Sequence, residues 1–294
     1  MKSGFVSLVG RPNVGKSTLL NSLLERKIAT TSNVSGTTRN IIQGIYNDDE
    51  AQIVFIDTPG IHKPQNKLGT LMNKKAYMMA DDVDIVLFLI DVEKGYGKGD
   101  SFILERLKEL NKPIILLLNK VDRVKKDKLL ELINEYKELH NFVEIIPISA
   151  LTGVNVEDLI NTIKKYLKDD VAYYSKEEVT NVSRNFMLGE IVREKILRLT
   201  KEEVPHSVTC LVEHIEEEED SIHVMVTIIV DRDNLKKIII GKNGAMLKTV
   251  GIEARKDMEE LLGKKVFLET YVKAIENWKD REKYLTEFGL NELE

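Results

Sequence analysis

Cysteine is almost missing from this chain, and its scarcity excludes two kinds of site. The sequence has one cysteine, Cys210, in 294 residues. A single thiol forms no intrachain disulfide and no zinc site built on several thiolates, so a reducing compartment such as the cytosol is expected. Apolar residues make up 43% and charged residues 31%, which indicates a folded soluble chain rather than a disordered one.

Long hydrophobic runs and an excess of positive charge are missing too. Apolar runs such as 85–90 and 114–118 are too short to span a bilayer. The N-terminus MKSGFVSLVG has no extended apolar core of the signal-peptide kind. Integral insertion is therefore not expected, although peripheral attachment stays open. The net charge is −5, so nucleic-acid binding would need a local basic patch.

The length and the pattern of apolar runs predict two domains with a linker between them. Continuous apolar runs alternate with helical patterns as far as about residue 168, which predicts an α/β domain with a mostly parallel, doubly wound sheet. The runs are 5–9, 53–56, 85–90, 114–118 and 143–147. A run at 41–46 followed by Asn47-Asp48-Asp49 predicts an antiparallel edge hairpin with 53–56. We assign residues 1–170 to this domain and the polar stretch 171–182 to the linker.

Residues 183–294 follow a different pattern, which predicts an α+β domain with antiparallel pairing. Its predicted helices are 184–199, 234–239 and 245–262, and its predicted strands are 207–215, 222–230 and 265–272. The acidic run 216–220 between two of these strands is read as a solvated hairpin tip. A tail carrying Trp278 comes last.

A phosphate-binding loop is the first motif with chemical content. G-x-x-x-x-G-K-S follows the first predicted strand and opens a helix, the context in which backbone N–H groups cradle a β-phosphate. We expect Lys16 to neutralise the β/γ oxygens and Ser17 to offer its hydroxyl to Mg²⁺. The cofactor-binding residues predicted here are Gly10, Arg11, Pro12, Asn13, Val14, Gly15, Lys16, Ser17 and Thr18.

Two further loops follow core strands. At the first, Asp57 can reach the magnesium shell through water, and Gly60 can present its N–H to a γ-phosphate. The residues predicted to bind nucleotide there are Asp57, Thr58, Pro59, Gly60 and Ile61. The second loop, Asn119-Lys120-Val121-Asp122, places a carboxylate to accept from N1–H and the 2-amino group of guanine. Adenine lacks both donors, so the site discriminates by roughly 10⁴-fold.

Three further features belong to the predicted nucleotide site. Asn119 ties the loops together, the Lys120 stem lies along the base, and the segment Ser149-Ala150-Leu151 supplies a backbone N–H to the guanine oxygen. These motifs look like the G1, G3, G4 and G5 elements of the translation-factor-related GTPases. In that class G2 is a threonine, and Ser35-Gly36-Thr37-Thr38-Arg39 matches it. Thr38 aligns best as the Mg²⁺ ligand, with Thr37 as the competing assignment.

Hydrolysis would depend on positioning and charge neutralisation by Lys16, Thr38 and Gly60, the residues predicted to be catalytic. Many such enzymes place a glutamine after Asp-x-x-Gly, but this chain has Ile61. We therefore name no general base and expect slow intrinsic turnover that a partner or an ion accelerates. Asn13 resembles the asparagine that accompanies potassium dependence in related GTPases, and it is equally consistent with a plain turn residue.

The second domain carries a G-x-x-G loop between two predicted helices. Such a loop clamps about four nucleotides in KH domains, and the order helix–strand–strand–helix–loop–helix–strand matches the type II KH arrangement. Nearby lysines provide the local positive charge. The predicted RNA-binding residues are Lys236, Lys237, Ile240, Gly241, Lys242, Asn243, Gly244 and Lys248. The acidic run 216–220 should point away from RNA.

A single P-loop GTPase domain followed by a KH domain resembles the Era GTPase family over nearly the whole chain. Segments 182–186, 190–195 and 251–258 also look like signatures of that family. The resemblance implies a factor that binds GTP or GDP with Mg²⁺, binds small-subunit ribosomal RNA near its 3′ end, and assists maturation of the 30S subunit. It also implies a cytoplasmic protein with some peripheral membrane association; we expect a monomer and no DNA partner.

Two other functions remain open on the sequence. A signalling or membrane switch would use the C-terminal domain to bind protein rather than RNA. An ATPase would show no preference for guanine.

Overall fold

The protein is described from a computed structural model that covers residues 1–32, 34 and 36–291. Its first half forms a six-stranded sheet in the order β2-β3-β1-β4-β5-β6. The strands are β1 Lys2–Gly10, β2 Ile42–Asn47, β3 Ala51–Asp57, β4 Ile85–Asp91, β5 Ile114–Asn119 and β6 Glu144–Ile148. The predicted α/β sheet is confirmed: β2 pairs antiparallel with β3, and the other pairings are parallel.

Helices cover both faces of this sheet, which explains why its central strands are apolar without alternation. They are α1 Lys16–Leu24, α2 Lys67–Asp81, α3 Lys98–Lys108, α4 Lys126–Tyr136 and α5 Val156–Tyr166. Helices α1 and α5 pack on one face, and α2, α3 and α4 pack on the other. The loops that follow β1, β3, β5 and β6 therefore meet at the carboxyl edge of the sheet, where open α/β sheets bind ligands.

The predicted linker lies along the edge strand β2. The N–H of Ile45 donates to the carbonyl of Val179 at 2.8 Å, and the hydroxyl of Thr180 donates to the Gln43 carbonyl at 2.6 Å. These bonds occupy backbone groups that an edge strand otherwise presents to solvent. The linker is thus anchored to the first sheet.

The second half forms a three-stranded sheet in the order β7-β8-β9, packed against helices. Its elements are α6 Arg184–Leu199, α7 Val204–Ser207, β7 Thr209–Glu217, β8 Ser221–Val230, α8 Asp233–Ile240, α9 Ala245–Leu262 and β9 Lys265–Ala274. The expectation of antiparallel pairing is wrong for one pair. Strand β8 pairs antiparallel with β7 but parallel with β9, because α8 and α9 form a crossover that returns the chain to the start of β8.

The C-terminal tail, as far as residue 291, connects the two halves. It contains a 3₁₀ turn, Trp278–Asp280, and a helix, α10 Glu282–Glu287. Buried Trp278, Leu285, Phe288 and Leu290 form one cluster with Ile229, Ile275 and with Leu68 and Met72 of α2. Asp280 also accepts from the Lys67 N–H at 3.0 Å, at the N-terminus of α2. In the part of the chain that the structure describes, no helix is both long and apolar enough to cross a membrane.

Candidate nucleotide site and nucleic-acid interface

The phosphate-binding loop connects the end of β1 to the start of α1. Gly15 is the N-cap of α1 and has a φ of 102°, a left-handed conformation that glycine adopts without steric cost. A Cβ at Gly15 would lie 2.2 Å from Asn119 Nδ2, so a side chain there would displace Asn119 and the loop 119–122. Loop residues line the cleft together with residues of the segment 30–38. The lining residues are Pro12, Asn13, Gly15, Lys16, Ser17, Thr18, Thr30, Thr31, Ser32, Gly36, Thr37, Thr38 and Gly60.

Lys16 lies inside this loop with its ammonium group directed at backbone oxygens. Nζ donates to the carbonyls of Gly10 at 3.2 Å and Arg11 at 3.0 Å. Burial lowers the pKa of Lys16 to about 8, and the Asp57 charge acts in the other direction. An anionic phosphate at this position would remove that penalty by supplying the missing counter-charge. The group is therefore placed to neutralise a bound polyphosphate.

Three side-chain oxygens from separate segments meet beside the loop. Ser17 Oγ lies 2.8 Å from Thr38 Oγ1 and donates to Asp57 Oδ2 at 2.6 Å. Thr37 turns elsewhere, since its hydroxyl donates to the Val34 carbonyl at 2.6 Å. The geometry favours Thr38 over Thr37 as the threonine of this cluster. Ser35, which belongs to the same predicted motif, lies outside the described residues.

The oxygen cluster suits a hard divalent cation. Asp57 Oδ1 is buried and has no hydrogen-bond partner among residues 1–32, 34 and 36–291. Burial raises the pKa of Asp57 to about 6, against the opposing effects of the Lys16 charge and the Ser17 and Thr38 hydroxyls. A buried carboxylate with an unused oxygen beside two hydroxyls is the donor set that Mg²⁺ prefers. Ser17 and Thr38 would hold the ion directly, and Asp57 would hold it through water.

The loop after β3 approaches the phosphate loop closely. Thr58 is buried and its hydroxyl donates to the Leu8 carbonyl at 2.7 Å, while Pro59 connects it to Gly60. A Cβ at Gly60 would lie 2.7 Å from the Pro12 backbone. The N–H of Ile61 donates to the Gly10 carbonyl at 3.2 Å, and its side chain is buried in the core. Ile61 is thus removed from any attacking water.

Asn119 joins the loops of the site, in the way the sequence predicts. Its Nδ2 donates to the Val14 carbonyl at 2.7 Å, and its Oδ1 accepts from the Ala150 N–H at 3.0 Å. The Ala150 N–H belongs to the segment 149–151, from which the sequence predicts a backbone N–H to the guanine oxygen. If it is the group that binds guanine, it shares its hydrogen between the two acceptors. Leu151 is 72% exposed, and it lies beside this loop.

Asp122 follows in a 3₁₀ turn, Val121–Arg123. Its Oδ1 accepts from the Ser149 hydroxyl at 2.6 Å, which fixes the carboxylate. Lys120, which lies between Asn119 and Asp122, has an acidic partner that the sequence did not indicate. Lys120 Nζ donates to the Asn13 carbonyl at 2.9 Å and to Asp91 Oδ2 at 2.6 Å.

Two acidic residues were missed by sequence reasoning. Asp91 is the last residue of β4, as Asp57 is the last residue of β3. This position at the carboxyl end of a core strand is a sequence feature from which Asp91 could have been predicted. Asp100 is buried in α3 and pairs with Arg11 at 2.7 Å. Arg11 also donates to the Gly95 carbonyl at 2.9 Å. In both pairs a basic residue of a motif is held by an acidic residue that belongs to no motif, and the pairs fix the loops against neighbouring elements.

The G-x-x-G turn lies between α8 and α9, as the sequence predicts. Gly244 has a φ of 78° and caps α9, and Asn243 within the turn has a φ of 52°. The lysines Lys237, Lys242 and Lys248 are exposed and Lys236 is half-buried. Ile238 is 50% exposed and Ile240 half-buried, so apolar surface lies next to positive charge. This combination suits a strand of nucleotides, whose phosphates need cations and whose bases need apolar contact.

The acidic hairpin tip lies far from this turn. Lys264, just after α9, bonds Glu217 at 3.0 Å, which places the tip at the C-terminal end of α9. The G-x-x-G turn is at the N-terminal end. An 18-residue helix spans about 27 Å, so the acidic run is separated from the lysines by roughly that length.

The fold and these loops define a class of protein: a P-loop GTPase joined to a KH domain. The family model of 50S ribosome-binding GTPases matches residues 5–120, and the KH-domain model matches residues 203–279. The structure of Era in complex with MgGDPNP and nucleotides 1506–1542 of 16S ribosomal RNA is 42% identical, with a TM-score of 0.96 and 99% coverage of both chains. An alanine variant of Aquifex aeolicus Era bound to GDP·AlF₄⁻ gives the same values.

The chain belongs to the Era family. It is a GTPase, which hydrolyses GTP to GDP and phosphate.

Proposed function

We propose that this GTPase binds the 3′ region of small-subunit ribosomal RNA through its KH domain and assists assembly of the 30S subunit. The observation that carries the proposal is the G-x-x-G turn with its exposed lysines, held in a chain that matches, over 99% of its length, an Era structure containing nucleotides 1506–1542 of 16S ribosomal RNA. The net charge of −5 makes non-specific attraction to RNA weak, so binding depends on this local surface.

The direct test is binding to a synthetic RNA that corresponds to nucleotides 1506–1542. A scrambled RNA of equal composition serves as the control, and both are measured with a non-hydrolysable GTP analogue and with GDP. Selective binding to the natural sequence is expected. Equal affinity for both RNAs contradicts the proposal and favours the alternative, in which the C-terminal domain binds a protein. Crosslinking to cellular RNA in the two nucleotide states, followed by sequencing, then identifies the site in the cell.

The proposal extends to the ions. Ser17 and Thr38 would hold Mg²⁺ directly and Asp57 would hold it through water. The distances of 2.8 Å from Ser17 Oγ to Thr38 Oγ1 and of 2.6 Å to Asp57 Oδ2 support this assignment. Potassium near Asn13 takes the charge role of an arginine finger. Comparing hydrolysis rates in potassium and sodium chloride at equal ionic strength tests the second point. A higher rate in potassium is expected, and equal rates leave Asn13 as a turn residue.

The proposed location follows from the proposed partner. A factor that acts on the small subunit works in the cytoplasm as a monomer, with peripheral attachment to the inner face of the cell membrane as an accompanying property. Fractionation of cells tests the cytoplasmic location and the membrane attachment, and light scattering of the purified protein tests the monomeric state.

A further inference from the structure

The segment that carries Thr38 is bound on both sides by the second domain. On one side, Arg193 of α6 donates to the Thr37 carbonyl. Arg193 is 1% exposed and is paired with Glu190, whose Oε2 lies 2.5 Å from its guanidinium. The guanidinium is therefore held by a carboxylate of its own helix while it binds backbone from the nucleotide domain.

On the other side, Arg39 extends from the nucleotide domain into the second domain. Its guanidinium donates to the Val208 carbonyl at 2.7 Å and to the Pro205 carbonyl at 3.3 Å. It also lies 5.6 Å from the centre of the Trp278 ring, within the range of a cation–π contact. Buried carbonyl oxygens and an indole face hold a planar guanidinium well. Arg39 is thus a fixed anchor rather than a solvated side chain.

Thr38 lies between these two anchors and faces the nucleotide site. Its hydroxyl meets Ser17 Oγ at 2.8 Å, and Thr38 itself is buried. The residues before and after Thr38 are both bound to the second domain, so movement of that domain must change the position of the Thr38 hydroxyl. Loops on GTPase surfaces are otherwise mobile, because they have few buried contacts of their own.

The placement of two like charges in this interface has an energetic cost. Burial, with the neighbouring Arg193 charge adding to it, lowers the pKa of Arg39 to about 9, while Glu190 opposes the effect. Arg39 still carries its charge at pH 7. Buried charges of one sign destabilise a fold unless each has partners, and here those partners are Glu190 and three backbone carbonyls from both domains.

We propose that Arg193 is a positioning residue for GTP hydrolysis, which acts with Arg39 to hold Thr38 over the γ-phosphate. Neither arginine contacts the reacting atoms: the contacts that they make go to Glu190, to backbone oxygens and to Trp278. The second domain therefore supports the nucleotide site in addition to carrying the RNA-binding turn. The inference rests on the GTPase activity and not on the proposed RNA partner, so the two can fail separately.

The test compares GDP with a GTP analogue, because only the triphosphate has a γ-phosphate for Thr38 to meet. In the double variant Glu190→Gln/Arg193→Met the two opposite charges are removed together, which avoids leaving one carboxylate unpaired. We expect unchanged GDP affinity, GTP-analogue affinity lowered about tenfold, and kcat lowered by about 10- to 100-fold, the range typical of a misplaced active-site group. Arg193→Lys, which keeps the charge, should recover part of kcat.

The matched control is Arg184→Gln on the same helix. Arg184 is a half-buried arginine that pairs with Glu217 of its own domain at 2.8 Å and makes no hydrogen bond or ion pair with the described residues of the segment that carries Thr38. The Arg184→Gln variant should leave kcat, GDP affinity and GTP-analogue affinity unchanged. If the double variant does not fold, Arg39→Gln removes the other anchor and should give the same separation between GDP and the GTP analogue. A kcat within twofold of the unmodified protein, or an equal loss of GDP and GTP-analogue affinity, overturns the proposal.

Discussion

Ser149 donates its hydroxyl hydrogen to the carboxylate of Asp122 at 2.6 Å, across 27 residues of chain. The bond joins the loop after β6 to the loop after β5. It fixes the orientation of the carboxylate that reads the base, because a carboxylate held on one oxygen presents the other in a defined direction. Ser149 is fully buried, so water competes little for this bond.

Changing Asp122 to Asn should change the preferred base. The amide offers a donor where guanine also has donors, whereas xanthine has a carbonyl at that position. GTP affinity should fall by about 100-fold or more, because the amide oxygen can keep only one of the two hydrogen bonds, the charge is lost, and the amide NH₂ faces the other guanine donor. XTP affinity should rise. Competition binding with both nucleotides measures this. Retained selectivity for GTP would contradict our account of base recognition.

Changing Gly15 to Ala should weaken GTP and GDP alike. The new Cβ would lie only 2.2 Å from Asn119 Nδ2. Asn119 would have to move, which would weaken its hydrogen bonds to Val14 and Ala150. Together with the left-handed backbone, the cost is about 3 kcal/mol, or roughly 100-fold in affinity. Gly263→Ala is the matched control, since Gly263 also has a left-handed backbone, with a φ of 66°, but in the described part of the chain no atom lies within 4 Å of its Cβ position. Calorimetry should find nucleotide affinity unchanged in the control.

Changing Gly244 to Asp should weaken RNA binding without affecting GTP hydrolysis in the absence of RNA. The substitution introduces negative charge beside the exposed lysines and strains a backbone at φ 78°. We expect RNA affinity to fall about tenfold or more, comparable to the loss of one charged contact. Gly263→Asp imposes similar strain at φ 66° at the other end of α9. If both variants bind RNA equally well, the turn is not the clamp.

Stability should fall above pH 9 because of Cys210. Burial raises the pKa of its thiol above the ordinary value of 9.0. The folded protein therefore keeps this proton while the unfolded chain loses it, and the free energy of unfolding falls as the pH rises. The slope contributed is about 1.4 kcal/mol per pH unit. Urea denaturation between pH 8 and pH 10.5 should show a steeper decline for the unmodified protein than for Cys210→Ala. Parallel curves would rule out this contribution.

Much of the fold was predictable from local patterns. The helix 184–199 and the helix 245–262 have the predicted ends, because Ser183 caps the first through its side chain and glycines flank the second. The central strands were recognisable because burial on both faces requires uninterrupted apolar residues. Their boundaries differ by at most three residues, and where they differ the hydrogen-bonded ladder continues past the apolar run.

The loop residues of the nucleotide site were predictable for a related reason. Each motif is a short contiguous stretch after its own strand, and parallel strands bring such stretches to one edge. The preference for Thr38 over Thr37 came from the alignment of the motif and not from local physical chemistry, because adjacent threonines carry the same hydroxyl group. Only the folded loop turns Thr38 toward Ser17 and Thr37 toward Val34.

The sequence by itself determined the chemistry of the loops and the class of each domain, because those depend on neighbours in the chain. Tertiary structure alone decided that β9 runs parallel to β8, that Asp91 holds Lys120, and that Arg193 holds a carbonyl 156 residues away. These contacts depend on how separate elements are brought together. The sequence places Lys120 in a motif and Arg193 in a family signature, but it does not say which group each side chain contacts. The connection between the nucleotide site and the second domain belongs to this group.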